Sequence, residues 1–191
     1  MIRVPETNYT NFYDQARFKL TWNICFAIFI SMVLFSLTLG IFAPNYVTPS
    51  LIALGVSAIL VWNLNRTKKY KISASLFVIS GIVLSVSQLF IITSLLHFVD
   101  LIWFLVIILF AYFTLGKVWG SITVATYAVA ISVFIKFFLN ENMSTVVFLE
   151  SPDMISMITN TLIACYLLAY IIMQFINTTS YAEEKFNKSN E

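Results

Sequence analysis

The chain has 191 residues, 60% of them apolar and 10% charged, with 18 phenylalanines and a net charge of +2. Soluble domains carry about 25% charged residues, so a mean hydropathy of +0.89 excludes a water-soluble domain, a disordered chain and a disulfide-rich secreted scaffold. So small a net charge also excludes nucleic acid as a partner; the composition is that of an integral membrane protein.

Residues 1–19 are polar, carry Arg3, Arg17 and Lys19, and read as an amino-terminal cytoplasmic segment. From Leu20 to Asn65 no formal charge occurs, room for two crossings of about 20 residues each. Pro44 and Pro49 mark the break, because proline ends helices and restricts the residue before it. Helix 1 is predicted over 20–43 and helix 2 over 50–65. The basic turn 66–71 follows. Between Ile72 and Gly116 the one formal charge is Asp100, and the single histidine, His97, stands close to it. Thr93 and Ser94 interrupt this run, which gives helix 3 over 72–94 and helix 4 over 98–115. Helix 5 covers 118–139, with Lys136 near its far end. The acidic stretch 140–153, containing Pro152, reads as a loop. Helix 6 is predicted over 154–179 and is expected to leave the bilayer as a cytoplasmic helical exit over 180–191.

The predicted fold is therefore all-α, a polytopic bundle of six transmembrane helices. Its runs lack the polar face of soluble helices and the ten-residue alternation of a β-barrel. Orientation follows from basic residues on short loops. Arg3, Arg17, Lys19, the 66–71 turn, Lys117, Lys185 and Lys188 share one side, and the opposite loops hold none. Lys136 alone disagrees, and a lysine one turn from a helix end snorkels to the interface. Both termini are expected in the cytoplasm, N-in and C-in.

No nucleophile turn, zinc-protease motif or His–carboxylate cluster occurs, and no enzyme, metal site or cofactor is expected. Cys25 and Cys165 lie inside apolar runs and read as packing residues. Polar side chains at membrane depth are costly and become the candidates. His97, Asp100 and Lys136 at the outer end suggest a polar vestibule for an unknown small ligand. The plainer reading is that Asp100 suits the first turn of helix 4 through the helix dipole and His97 sits in a turn. Gln88 and Asn160, deeper in helices 3 and 6, either hydrogen-bond across helices as packing contacts or line a pocket with Trp103. Asn23, near the inner interface, needs no special role. Gly116 and Gly120 read as turn residues. In the exit segment Phe175, Thr179, Ala182, Phe186 and Ser189 recur at heptad-like spacing, with Tyr181 among them.

Three segments resemble one family: Ala16-Arg17-Phe18-Lys19-Leu20-Thr21-Trp22, His97-Phe98-Val99-Asp100-Leu101-Ile102-Trp103, and Thr114-Leu115-Gly116-Lys117-Val118-Trp119-Gly120. Together with Ser180-Tyr181-Ala182-Glu183-Glu184 at the exit, they look similar to the six-helix membrane input region of bacterial sensor histidine kinases. The resemblance implies a homodimer in the bacterial inner membrane. It also implies a sensing site among His97, Asp100, Trp103, Gln88, Asn160 and Lys136. Output would run through Phe175, Thr179, Tyr181, Ala182 and Phe186 to a cytoplasmic kinase module, which these residues do not include.

Two other classes compete. The substrate-binding membrane subunit of a small-solute transporter predicts an outward cavity and helices broken at midplane, whereas the prolines here fall in loops or the amino-terminal tail. A passive membrane anchor predicts no site at all.

Overall fold

Every regular element in the computed structural model is helical; it describes Pro5 and residues 12–44, 47–91, 98–139 and 151–190. The helices are α1 (Phe12–Phe42), α2 (Val47–Thr67), α3 (Tyr70–Ile91), α4 (Phe98–Leu115), α5 (Lys117–Phe134) and α6 (Ser151–Asn190), with a π-helical turn, Ile135–Leu139, extending α5. Helices α1, α2, α3, α5 and α6 each contain a span long and apolar enough to cross a membrane, and α4 adds a shorter apolar stretch, Leu101–Leu115. In lipid such helices satisfy their own backbone groups, and for that reason a chain this poor in charge adopts them.

Two helices run further than the apolar pattern alone predicts. The apolar stretch of α1 begins at Leu20, yet the helix starts at Phe12, because this polar extension buries Ala16 and Phe18. With 31 residues, α1 is about 46 Å long. Helix α6, with 40 residues, reaches about 60 Å against a hydrocarbon core of about 30 Å. It is one unbroken helix across the predicted boundary at 179.

The packing divides into two groups. Helix α1 packs most extensively on α6 and α2, and α4 packs on α3 and α5. Contact between the groups runs mainly along α4 and α6, with less between α2 and α3. One continuous core joins them: Ile24, Ile28, Val78, Val106, Phe110, Leu167 and Ile171 are all buried in it. A smaller cluster at the other end of α1 holds Phe18, Trp22, Leu64 and Tyr70.

Inside the second group the fit is close. Phe77 meets Phe110 with centroids 4.5 Å apart, and Phe104 stacks on Tyr127 at 4.1 Å and 16°. A Cβ on Gly81 would sit 2.9 Å from Ile107 Cδ1, so α3 and α4 approach closely there. Gly120 carries the Tyr112 ring of α4 against its backbone. The two glycines expected to make one turn therefore do different things. Gly116 has φ 94°, the left-handed conformation that connects α4 to α5; Gly120 lies within α5 and makes room for an aromatic ring.

Hydroxyls follow the same economy as the backbone. Thr21, Ser85, Thr114, Thr123 and Thr161 each donate to the carbonyl four residues earlier in their own helix, at 2.7–2.9 Å. That return bond lets a hydroxyl face lipid or core without an open donor.

Gly120→Ala forces a methyl into the Tyr112 ring and is expected to cost about 1–3 kcal/mol, as overpacking does. Thermal unfolding in detergent measures it. In a Tyr112→Ala background the same change should cost nothing, and an equal cost in both backgrounds would show that the ring is not the obstacle.

Candidate functional site

Few polar side chains reach the interior, and two of the four pairs that bond across helices there join α6 to a neighbour. Near its first turns the Trp103 Nε1–H of α4 donates to Asn160 Oδ1 of α6 at 2.8 Å. Further along, the Asn23 amide of α1 donates to Gln174 Oε1 at 3.0 Å, and Phe113 of α4 stacks on Phe175 at 3.9 Å and 13°. Further still, Lys19 Nζ of α1 lies 4.8 Å above the Tyr181 ring. Helix α6 is thus held at three levels, first by α4 alone, then by α4 and α1 together, and last by α1.

The other interior polar contacts lie away from α6. Ser85 of α3 and Tyr127 of α5 share a buried hydrogen bond of 2.9 Å, beneath the ring of Phe104. Adjacent residues of α4 thereby face opposite ways: Trp103 is bonded to α6 and Phe104 is stacked on α5. At the end where α1 begins, Tyr70 of α3 donates its phenol to Asp14 of α1 at 2.7 Å. Tyr70 is buried and Asp14 half-buried, and their bond ties the two helix groups together.

Of the predicted sensing residues, the described structure brings Trp103 and Asn160 together. His97 lies outside the described residues. Asp100 falls in the first turn of α4. Trp103 and Asn160 come together, as a direct bond between helices. Gln88 is half-buried in α3, hydrogen-bonded to no other described residue. Lys136 is exposed in the π-helical turn, 5.2 Å from the Phe137 ring, and not beside Asn160. Among the described residues no group of three or more His, Cys, Asp or Glu could hold a metal ion.

The predicted output residues share α6 but not one face. Phe175 is stacked on α4, Tyr181 is half-buried under Lys19, and Ala182 is buried. Thr179 is exposed and returns its hydroxyl to Phe175 O at 3.0 Å. Phe186 lies on the same helix, near its end. The seam of Phe175 and Ala182 is thus turned toward the bundle itself, since α1 extends far enough to cover it. Asn23, Gln174, Phe113 and Tyr127 were not singled out as site residues. An amide within an apolar run was the available signal for Asn23 and Gln174; for the two aromatics no sequence signal separates them from the other rings.

No protein-family model, curated protein or solved structure matches this chain.

Interhelical hydrogen bonds in bilayers contribute about 0.6 kcal/mol on average and up to about 1.7 kcal/mol. A double-mutant cycle of Trp103→Phe and Asn160→Leu, read by unfolding in detergent, should return a coupling within that range. Strict additivity would mean the bond contributes nothing to holding α6.

Proposed function

We propose that the chain is a membrane-embedded sensory input domain that passes an outer or intramembrane stimulus through α6 to a cytoplasmic signalling module of the histidine-kinase type. The observation that carries this reading is the continuity of α6, a single 40-residue helix held by α4 and α1 and long enough to deliver a movement well beyond the bilayer. The helix crosses as one of six spans in the bacterial inner membrane. Helix α4 counts as the sixth, since its 18 residues meet the lower end of the crossing range of about 17–25. Both termini are cytoplasmic, on the side of Arg17, Lys19, the 66–71 turn and Lys117.

The transmission step is a change in packing between the two helix groups. A stimulus acts only through a difference in affinity for two arrangements. The directional contacts between α6 and α4 are one indole–amide bond and one stacked ring pair, and the rest of that interface is apolar packing shared with the core. Small helix shifts of about 1–2 Å are the ordinary output of such rearrangements. Moving α6 against α4 carries α1 with it, because Asn23 and Lys19 hold the far part of α6.

The working unit in this reading is a homodimer with α6 at its centre. Of the five long spans α6 is the least covered, with 17% of its apolar window buried. Ile158, Leu162, Cys165, Ile172 and Ile176 lie exposed along one side of it.

Two measurements test the proposal. The full chain is fused after Glu191 to a kinase module, with one to seven residues inserted at the junction, and autophosphorylation is followed in bacterial membranes. Activity should rise and fall with the helical period of about 3.6 residues; a flat response, or a junction found outside the cell, overturns the reading. Mild oxidation of native membranes should give a disulfide dimer through Cys165, exposed on α6, and none through Cys25, which is buried. The dimer should persist in Cys25→Ser and vanish in Cys165→Ser. A chain that stays monomeric under oxidation removes the α6-centred dimer.

A further inference from the structure

The connection from α2 to α3 concentrates positive charge. Arg66, Lys68, Lys69 and Lys71 fall within six residues of chain that contain no acid, and the first turn of α3 has no acidic residue either. The turn itself is tight and held from within. Lys68 takes the left-handed conformation at φ 57°, its N–H donates to Leu64 O at 3.1 Å, and the Lys69 N–H donates to Thr67 Oγ1 at 3.3 Å. Leu64 and Tyr70, on either side, are buried at 0% and 1%. The backbone is therefore fixed while Arg66, Lys69 and Lys71 stand exposed.

Two of these cations lie near aromatic rings. Arg66 lies 5.3 Å from the Trp62 ring and Lys71 lies 5.9 Å from the Tyr70 ring. Asp14, the carboxylate beside Tyr70, already accepts the Tyr70 phenol, and Arg17 lies beside the same phenol. Trp62 is 59% exposed one turn inside the end of an apolar span, the depth at which tryptophan sits in the headgroup region. Crowded cations on a rigid turn at that depth are complementary to phosphate, and a guanidinium receives it through two parallel hydrogen bonds.

We propose that the α2–α3 turn is a docking surface for the headgroup of an anionic phospholipid, with Arg66, Lys69 and Lys71 around the phosphate and the Trp62 ring against the upper acyl chain. The lipid bridges the two helix groups at the point where the chain passes from one to the other. This assignment needs only that α2 and α3 span a bilayer; it stands apart from the sensory reading above.

The experiment uses the purified full chain in detergent, titrated with phosphatidylglycerol or phosphatidylcholine of matched chains, with bound lipid counted by native mass spectrometry. Phosphatidylglycerol should be retained in preference. Each charge removed should lower that preference about fivefold, so that Arg66→Gln, Lys69→Gln and Lys71→Gln together abolish it. Lys117→Gln removes a cation from the start of α5, elsewhere at the same end, and should leave the preference unchanged. Arg66→Lys, which keeps charge, should retain most of it, separating lost binding from lost fold. Equal retention of the two lipids overturns the proposal, as does a triple variant that binds like the wild type or a Lys117→Gln loss of the same size. Displacement of the lipid by millimolar inorganic phosphate would mark a free-anion site and overturn it too.

Discussion

In hydrocarbon no water is present to complete a hydrogen bond, so each polar group in the span must find its partner within the protein. The backbone meets this requirement by forming helices, and the hydroxyls of Thr21, Thr114 and Thr123 meet it by bonding back to the preceding turn. Amides and indoles cannot do so as readily. Asn23, Asn160 and Trp103 therefore reach other helices, and their partners decide which helices are tied. The requirement is not met everywhere among the described residues: Trp22 Nε1, Ser36 Oγ and Ser73 Oγ are buried without a partner. Two of these sit by the dry cluster of Phe18, Leu64 and Tyr70, and apolar packing there outweighs an open donor.

How much of this was legible in the sequence depends on whether a signal is local. Charge spacing and proline position are local, so the all-helical membrane class could be read from Leu20–Asn65 and its counterparts. The start of α1 could not. Phe12–Lys19 is polar by composition, and its helix depends on Ala16 and Phe18 finding α2 and α3, residues far along the chain. The length of α6 was legible: the uncharged run to Ala182 exceeds one crossing, which predicted a helical extension over 180–191, and the helix runs to Asn190. At the other extreme, the left-handed turn at Gly116 is a one-residue property, readable as soon as glycine stands between two apolar runs.

The candidate site shows the same division more sharply. Asn160 and Trp103 stood out singly because polar and amphipathic groups are costly at depth, yet 57 residues separate them. Asn23 and Gln174 are 151 residues apart. Pairing requires knowing which way each helix is turned about its axis, and runs that are apolar all round carry almost no such information. A soluble amphipathic helix announces its inner face. These helices do not, since lipid and core accept the same side chains. For the same reason the heptad-like spacing of Phe175 and Ala182 did not tell which surface they meet; Phe175 is stacked on Phe113 of α4 and Ala182 is buried.

Contacts within a helix group differ in kind from those between the groups. Within α3, α4 and α5 the contacts are close and directional: Ile107 fills the space left by Gly81, Tyr112 covers Gly120, and Phe104 lies flat on Tyr127. Displacing any of these requires overpacking or opening a void, and both are expensive in a close-packed interior. Between the groups the polar links include Trp103–Asn160 and Tyr70 with Asp14 and Arg17, and Phe113 stacks on Phe175. A ring pair can slide and a single hydrogen bond can be exchanged at a cost of about 1 kcal/mol. Apolar packing supplies the rest of that seam, since Leu167 and Ile171 of α6 share one buried core with Val106 and Phe110 of α4. Asn23 and Lys19 fasten the far part of α6 to α1, so a helix of about 60 Å does not stand alone there, and each of the two long helices stiffens the other against bending.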